Sequence, residues 1–236
     1  GYFQSLLIYQ GTRWTGLSEN KSIWTGIIAS TMFQSTIEIM DGYSDQWGFS
    51  IGDVVANTVG LSAFYFQQKY WKEQKITLKE SSWPRTYEDT KFKSIDGKTE
   101  ISLRERAEKL YGKSWGEKAL KDYNVQIYWA SFNPRIFSDR WSKWPSWLNF
   151  SVGYGADNLY GGFNNKFEVN GSSFDLSQLK RQRQIFLALD YDLRKIKSKS
   201  HFLKTVLNVL NIYKFPAPAI EYNSQEGMKF HLMLVH

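Results

Sequence analysis

Apolar side chains recur at helical spacing over about the first 75 residues, and at every second position from about Asn124 onward. The opening GYFQSLLIYQG has no start signal before its apolar run, so it reads as the inside of a helix, with further chain expected upstream. Residues 2–14 form one apolar-rich segment that ends at the turn WTGLSEN. A longer run, IWTGIIASTMFQSTIEIM, leads from Ser22 to Asp41 without a proline. After a short connection comes GDVVANTVGLSAFYFQQKYW. Ser50 marks its start with Asp53 three residues on, because a serine hydroxyl can accept from the N–H three residues ahead. The two runs are expected to pair as a buried helical hairpin, apolar around much of their circumference. A free membrane span needs about 20 mainly apolar residues. Gln34 and Glu38 interrupt the first run and Asp53 and Asn57 the second, so helices packed within protein are expected instead.

Residues 76–122 are charged and carry Trp83–Pro84, a turn at Asp96–Gly97 and a helical stretch, SLRERAEKLYG. They read as a linker or surface excursion. Beyond them the period is two. Leu148, Phe150, Val152 and Tyr154 alternate with Asn149, Ser151 and Gly153. Ile185, Leu187, Leu189, Tyr191 and Leu193 oppose Asp190 and Asp192, and Met228, Phe230, Leu232 and Leu234 share one side of the last run. Such alternation predicts half-buried strands, with the aspartates on a solvated face. QIYWASF and PAIEY are weaker strands, and SHFLKTVLNVLNIY is a helix closed by Pro216 and Pro218. Five or six such strands are too few for a complete membrane barrel, which needs at least about eight. The expected fold is α+β: a helical hairpin domain over 1–75, the charged stretch 76–122, then an antiparallel sheet over 123–236. That sheet is curled like part of a barrel and carries a helix at 201–213.

Composition sharpens this picture in two respects. Aromatic residues reach 17%, with ten Trp and fourteen Tyr, and these side chains favour sites with one apolar and one wet end. The net charge is +7. Its Lys and Arg are scattered and accompany no nucleic-acid-binding motif, so an anionic lipid surface or an acidic partner is expected, and no nucleic acid. The absence of cysteine excludes disulfides and thiolate chemistry.

One stretch could carry chemistry: IEIMDGYSDQWGFSIGDVVANTVG, residues 37–60. Glu38 and Asp41 lie three apart on one helix, Asp45 follows, and Asp53 and Asn57 lie four apart on the next. A tight hairpin would bring these groups together between apolar helices, where unpaired carboxylates cost several kcal/mol. They are therefore a polar network or a site. As a site, two adjacent carboxylates could share a proton and leave one as a base. No His, Cys or Lys lies within the stretch, and His201, His231 and His236 are distant and not at ligand spacing. The network is the preferred account, and no metal or cofactor is called for. The Trp cluster Trp141, Trp144 and Trp147, broken by Pro145, is the non-catalytic candidate: a partly exposed interface on a bilayer or a partner.

Glu38, Asp41, Gly48-Phe49-Ser50, Gly52-Asp53, Asn57 and Gly60, in that order, resemble the YfiM-like DUF2279 group of envelope proteins, and more distantly the VanZ-type membrane proteins. The stretches KDYNVQIYW, PSWLNFSVGYGADNLYGG, RQRQIFLALDYDL and FPAPAIEYN resemble the longer Bacteroidota members of that group. The family's Asp-Lys-x-x-His-type stretch, expected before the hairpin, is not seen. The resemblance implies a lipoprotein-like protein at the outer membrane or its periplasmic face, and no particular reaction. The expected role is a non-enzymatic accessory or plugging subunit of an outer-membrane assembly. Its expected partners are other outer-membrane proteins, a large β-barrel among them, and the membrane surface or lipid. The type 9 secretion translocon is the assembly to consider first. Two alternatives stand beside it. One is an envelope hydrolase or transferase that acts on a lipid or phosphate-bearing substrate through the 38–57 acids. The other is a lipid-binding module that uses the concave face of the sheet.

Overall fold

A computed structural model of the chain describes residues 1–43 and 49–235. Asp45, Gly48 and His236, named above, lie outside the described residues. The chain divides into two compact units, Gly1–Leu78 and Lys79–His236.

The first unit is helical. It contains α1 (Tyr2–Trp14), α2 (Glu19–Gly42) and α3 (Ile51–Phe66), and α3 runs on into a π-helical turn over Gln67–Trp71. As the spacing predicts, the Ser50 hydroxyl accepts from the Asp53 N–H at 3.2 Å and starts α3. Tyr2, Leu6, Ile23 and Phe64 form a small core, and the other buried positions are polar or tiny. Ser5, Ser22 and Ser30 are fully buried between the helices. A Cβ on Gly26 would sit 2.7 Å from the Ser5 carbonyl oxygen, and one on Gly60 would sit 3.0 Å from the Tyr2 nitrogen, so glycine allows the helices to approach this closely without crowding. Trp24, Ile28, Met32 and Phe33 of α2 and Val55 and Val59 of α3 are exposed. The helices are thus less buried than their composition suggests. They spend their small and polar residues on each other and turn large apolar ones outward, an arrangement typical of helices that pack in lipid. Among the described residues, no helix is long and apolar enough to cross a membrane.

The second unit is built on a six-stranded antiparallel sheet in the order β1-β4-β5-β8-β9-β10. Its strands are β1 (Ile76–Ser82, which enters this unit at residue 79), β4 (Gln126–Phe132), β5 (Leu148–Asp157), β8 (Gln182–Tyr191), β9 (Ala217–Asn223) and β10 (Gly227–Leu234). The sheet is open and does not close into a barrel, although Glu80 makes one parallel bridge to Tyr213. Helix α6 (His201–Leu210) lies in the connection between β8 and β9 and has no buried residue.

The stretch from 83 to 122 carries the hairpin β2–β3 (Lys91–Lys93, Glu100–Ser102) and helices α4 (Leu103–Tyr111) and α5 (Trp115–Lys121). Each helix is opened by a Ser–Glu capping box. Tyr87, Leu103, Ala107 and Tyr111 pack with Tyr160 and Leu176 as a second core. A further hairpin, β6–β7 (Lys166–Val169, Ser172–Asp175), stands beside it in sequence between β5 and β8.

The strand alternation predicted from sequence is present, but its polarity is reversed. Asn149, Ser151, Gln184 and Asp190 point to the buried face, while Val152, Ile185, Leu187 and Ile220 point to the exposed one. Asp190 and Asp192, expected on a solvated face, are buried. Periodicity shows that two faces differ, and it does not show which of them is covered.

Candidate functional site

Two constructions emerge from these elements. The first is a polar seam along the helices of the first unit. Asn57 Oδ1 accepts from the Gly1 nitrogen at 2.9 Å, and its Nδ2 donates to Gln34 Oε1 at 3.3 Å. Gln34 donates in turn to Gln4 Oε1 at 2.9 Å, which also accepts from the Ser30 hydroxyl. Glu38 is buried and its carboxylate faces the Ser50 N–H at 3.5 Å, at the limit of a hydrogen bond. Asp53 is exposed. Glu38 and Asn57 line a cleft of about 200 Å³ that also includes Gln34 and Phe49, whereas Asp41 and Asp53 do not line it. The hairpin therefore brings Glu38 and Asn57 together and leaves the other two carboxylates out. Among the described residues, no three His, Asp or Glu groups are placed to hold a metal. A larger cleft of about 540 Å³ lies in the second unit, where its Glu105 is committed to a capping box.

The second construction is the inverted sheet. Lys79 and Asp190 are fully buried and paired at 2.8 Å, and Lys79 also donates to the Tyr191 carbonyl at 2.8 Å. The Ser131 hydroxyl donates to the same Asp190 oxygen at 2.5 Å, and the Asn149 amide donates to Ser131 at 3.1 Å. Lys214, also buried, places its ammonium 4.4 Å from the centre of the Trp129 ring. Further along, Glu221 accepts from Gln184 at 2.8 Å and faces His231 at 2.7 Å. The alternation of Asn149, Ser151, Gly153 and Gly155 along β5 makes this interior possible. Gly153 lies opposite Trp129 in register, and the indole fills the space that a side chain would take. No motif marks Lys79 in the sequence, and the alternation around Asp190 shows two faces without showing which is covered.

The opposite face is apolar across five strands. In register, Tyr128, Tyr154, Ile185, Tyr222 and Met228 form one row, and Ala130, Val152, Leu187, Ile220 and Phe230 form the next. Phe132, Phe150 and Leu189 follow, then Leu148 with Tyr191. Of the second row, Val152 is 45% exposed, Leu187 50%, Ile220 42% and Phe230 69%. The predicted Trp cluster stands at the end of the last row. Trp147 stacks on Tyr191 with centroids 6.3 Å apart, Trp144 stacks on Phe150 at 5.2 Å, and Trp141 meets Trp144 edge-on. Trp141 and Trp147 are exposed, and Trp144 is fixed by donating its indole N–H to the Leu148 carbonyl.

Between β1 and β4 lies a compact polar knot. Tyr87 donates to Asp122 at 2.6 Å, and Asn124 donates to the hydroxyls of both Tyr87 and Tyr111. Burial, and then the Asp122 carboxylate, push both phenols well above their ordinary pKa.

Residues 2–69 match the model of a family described as a predicted periplasmic lipoprotein, DUF2279. The helical unit is therefore similar to this family over most of its length. No curated protein and no solved structure matches the chain. The DUF2279 match contains Glu38, Asp41, Asp53 and Asn57 and ends before the sheet, so the Trp cluster and the inverted strands lie beyond it. The family's description fits the periplasmic side of the envelope.

Proposed function

We propose that the protein is a non-enzymatic accessory or plugging subunit of an outer-membrane assembly. One observation carries this reading: a sheet that buries charged and amide side chains and leaves five strands of apolar ones uncovered. Soluble monomers rarely leave such a patch open, and outer-membrane strands show this inside-polar, outside-apolar pattern. Among the described residues the sheet also ends at β10, which has a neighbour strand on one side only. An unpaired strand edge is costly in lipid and invites another strand, so a β-barrel protein of the outer membrane is the partner that fits. The type 9 secretion translocon is the first assembly in which to seek it. The DUF2279 match of the first unit, with its periplasmic description, supports a place at the periplasmic face of that membrane.

Acyl chains held against the buried face of the sheet are a poorer account, since Ser151, Asp190 and Asn149 on that face are almost wholly buried. The reading is tested by placing a photo-crosslinker at Lys229 on β10 in the native envelope and purifying the tagged protein in mild detergent. A stoichiometric β-barrel adduct is the expected result. Recovery of the protein as a stable, soluble monomer with no adduct would overturn the reading.

A further inference from the structure

We propose that the exposed face of the sheet is a lipid-contacting surface: its aliphatic rows lie against acyl chains, and its tryptophan end sits at an anionic headgroup layer. The proposal rests on the subunit reading for its location and adds the chemistry that covers the face.

Three observations select lipid over a protein surface. First, the face is banded. Aliphatic and Phe side chains occupy the middle rows, while Tyr128, Tyr154 and Tyr222 mark one end and Trp141, Trp144 and Trp147 the other. Amphipathic rings in two belts on either side of an aliphatic zone are what a bilayer's two boundaries require, whereas protein interfaces concentrate their aromatics at the centre. Second, the height fits. Leu148 and Tyr154 are six residues apart along β5, about 20 Å at a rise of ~3.4 Å per residue before any tilt, and Trp147 lies in the turn just beyond. The apolar band of membrane β-proteins is about 25 Å tall.

Third, the net positive charge sits at one end. The β4–β5 and β8–β9 connections, residues 133–147 and 192–216, both leave the sheet at its tryptophan end. They carry three and six Lys or Arg residues against only Asp139 and Asp192. Their balance is therefore +7, equal to the formal net charge of the whole chain. The remaining residues hold 21 basic and 21 acidic side chains and cancel. Within the second connection, Lys197, Lys199 and Lys204 are exposed beside the uncovered Phe202 and Leu203 of α6. A short amphipathic helix flanked by lysines in this way settles at an anionic membrane surface. A protein partner would require neither the two belts nor a net positive charge at one of them.

The test exploits the absence of native cysteine. Val152→Cys and Leu187→Cys in the middle rows, and Lys121→Cys at the exposed end of α5 as a control, are labelled with bimane in the full chain. Each is reconstituted from mild detergent into vesicles of phosphatidylcholine and phosphatidylglycerol that carry doxyl lipids, with a native circular dichroism spectrum as the folding check. Quenching at 152 and 187 by mid-chain doxyl, with 121 quenched only by aqueous iodide, is the expected result. Replacing Lys197, Lys199 and Lys204 by Gln should lower partitioning to anionic vesicles by at least about tenfold and leave neutral vesicles unaffected. Iodide quenching at 152 and 187 in vesicle-bound protein would overturn the lipid assignment. The subunit reading is scored separately: a β10 crosslink with no lipid quenching sinks only this proposal, and lipid quenching with no crosslinked partner sinks only the other.

Discussion

Both units bury polar groups beside small apolar clusters, yet those polar groups differ. Along the helices a chain of amides carries the part-buried hydrogen bonds, Asn57 to Gln34 and Gln34 to Gln4, with Gln67 to Gln74 buried just beyond α3. Inside the sheet they converge on full charges, with Lys79 held between Asp190 and a carbonyl and both side chains sealed from solvent. Neutral amides exchange one modest bond for another, so each contributes about 1 kcal/mol. A buried ion pair adds little net stability while it is intact, and its disruption is severe because the surviving charge has no solvent. The helical interior should therefore degrade gradually under substitution, and the sheet interior abruptly.

The largest expected effect follows directly. Lys79→Ala should cost about 3–5 kcal/mol by leaving Asp190 buried and unpaired, and Gln34→Leu in the helical seam about 1–3 kcal/mol. Denaturant midpoints of the two variants, each followed by a probe in its own unit, measure the contrast. If Lys79→Met combined with Asp190→Leu recovers most of the loss, the charges serve each other and no ligand. An equal cost for Lys79→Ala and Gln34→Leu would remove the distinction between the two interiors.

Steric tolerance gives a second, smaller contrast. Alanine at Gly153 places a Cβ 2.5 Å from a Trp129 ring carbon, with two more ring atoms within 2.9 Å. The indole cannot retreat easily, because its N–H donates to Ser81 at 2.9 Å. The cost should be about 1–3 kcal/mol, as for other overpacked cores. Gly26→Ala, 2.7 Å from a single backbone oxygen, should cost no more, since two helices can separate slightly. Urea unfolding of both variants decides the order.

Much of this architecture was legible in the residues. The helix over 2–14, the Ser50 cap and the alternating runs at 148–154 and 185–191 all stand where the spacing puts them. Burial was not legible. An alternating strand looks the same whether protein covers its apolar side or nothing does, and the aspartates at 190 and 192 have the spacing of solvated residues either way. The burial of Lys79 depends on contacts more than 100 residues away, which no local pattern records. The charge between 76 and 122 concealed Tyr87 and Tyr111, whose phenols are buried on Asp122 and Asn124.

Those phenols give a pH-dependent test of polar burial. Both are held above the ordinary tyrosine pKa of 10.0 in the folded protein. As pH rises past 10 the unfolded chain loses these protons first, so the folded state binds more protons and stability falls. The contribution is complete below pH 10 and declines above it, by about 1.4 kcal/mol per pH unit for each such phenol. Tyr87→Phe should flatten the decline between pH 10 and 11 by one proton's worth, in addition to a constant loss for its missing bond to Asp122. An unchanged slope in unfolding free energy against pH would show that Tyr87 ionises in the native state.

The smallest effect bears most directly on whether the helical seam does chemistry. Asp53 is exposed in the first turn of α3, where its charge opposes the positive end of the helix dipole. Asp53→Asn keeps the shape, removes the charge, and leaves the Ser50 cap in place, because that bond uses the Asp53 backbone N–H. The expected cost is about 0.3–1 kcal/mol, measured by thermal unfolding at low salt and reduced by added salt. Function in the native envelope, read as complementation of a deletion strain, should survive. An envelope hydrolase that works through the 38–57 acids predicts the reverse: unchanged stability and lost complementation. That outcome would make the cleft lined by Glu38 and Asn57 a site of chemistry and would break the parallel between the two interiors, since only one of them would then be structural.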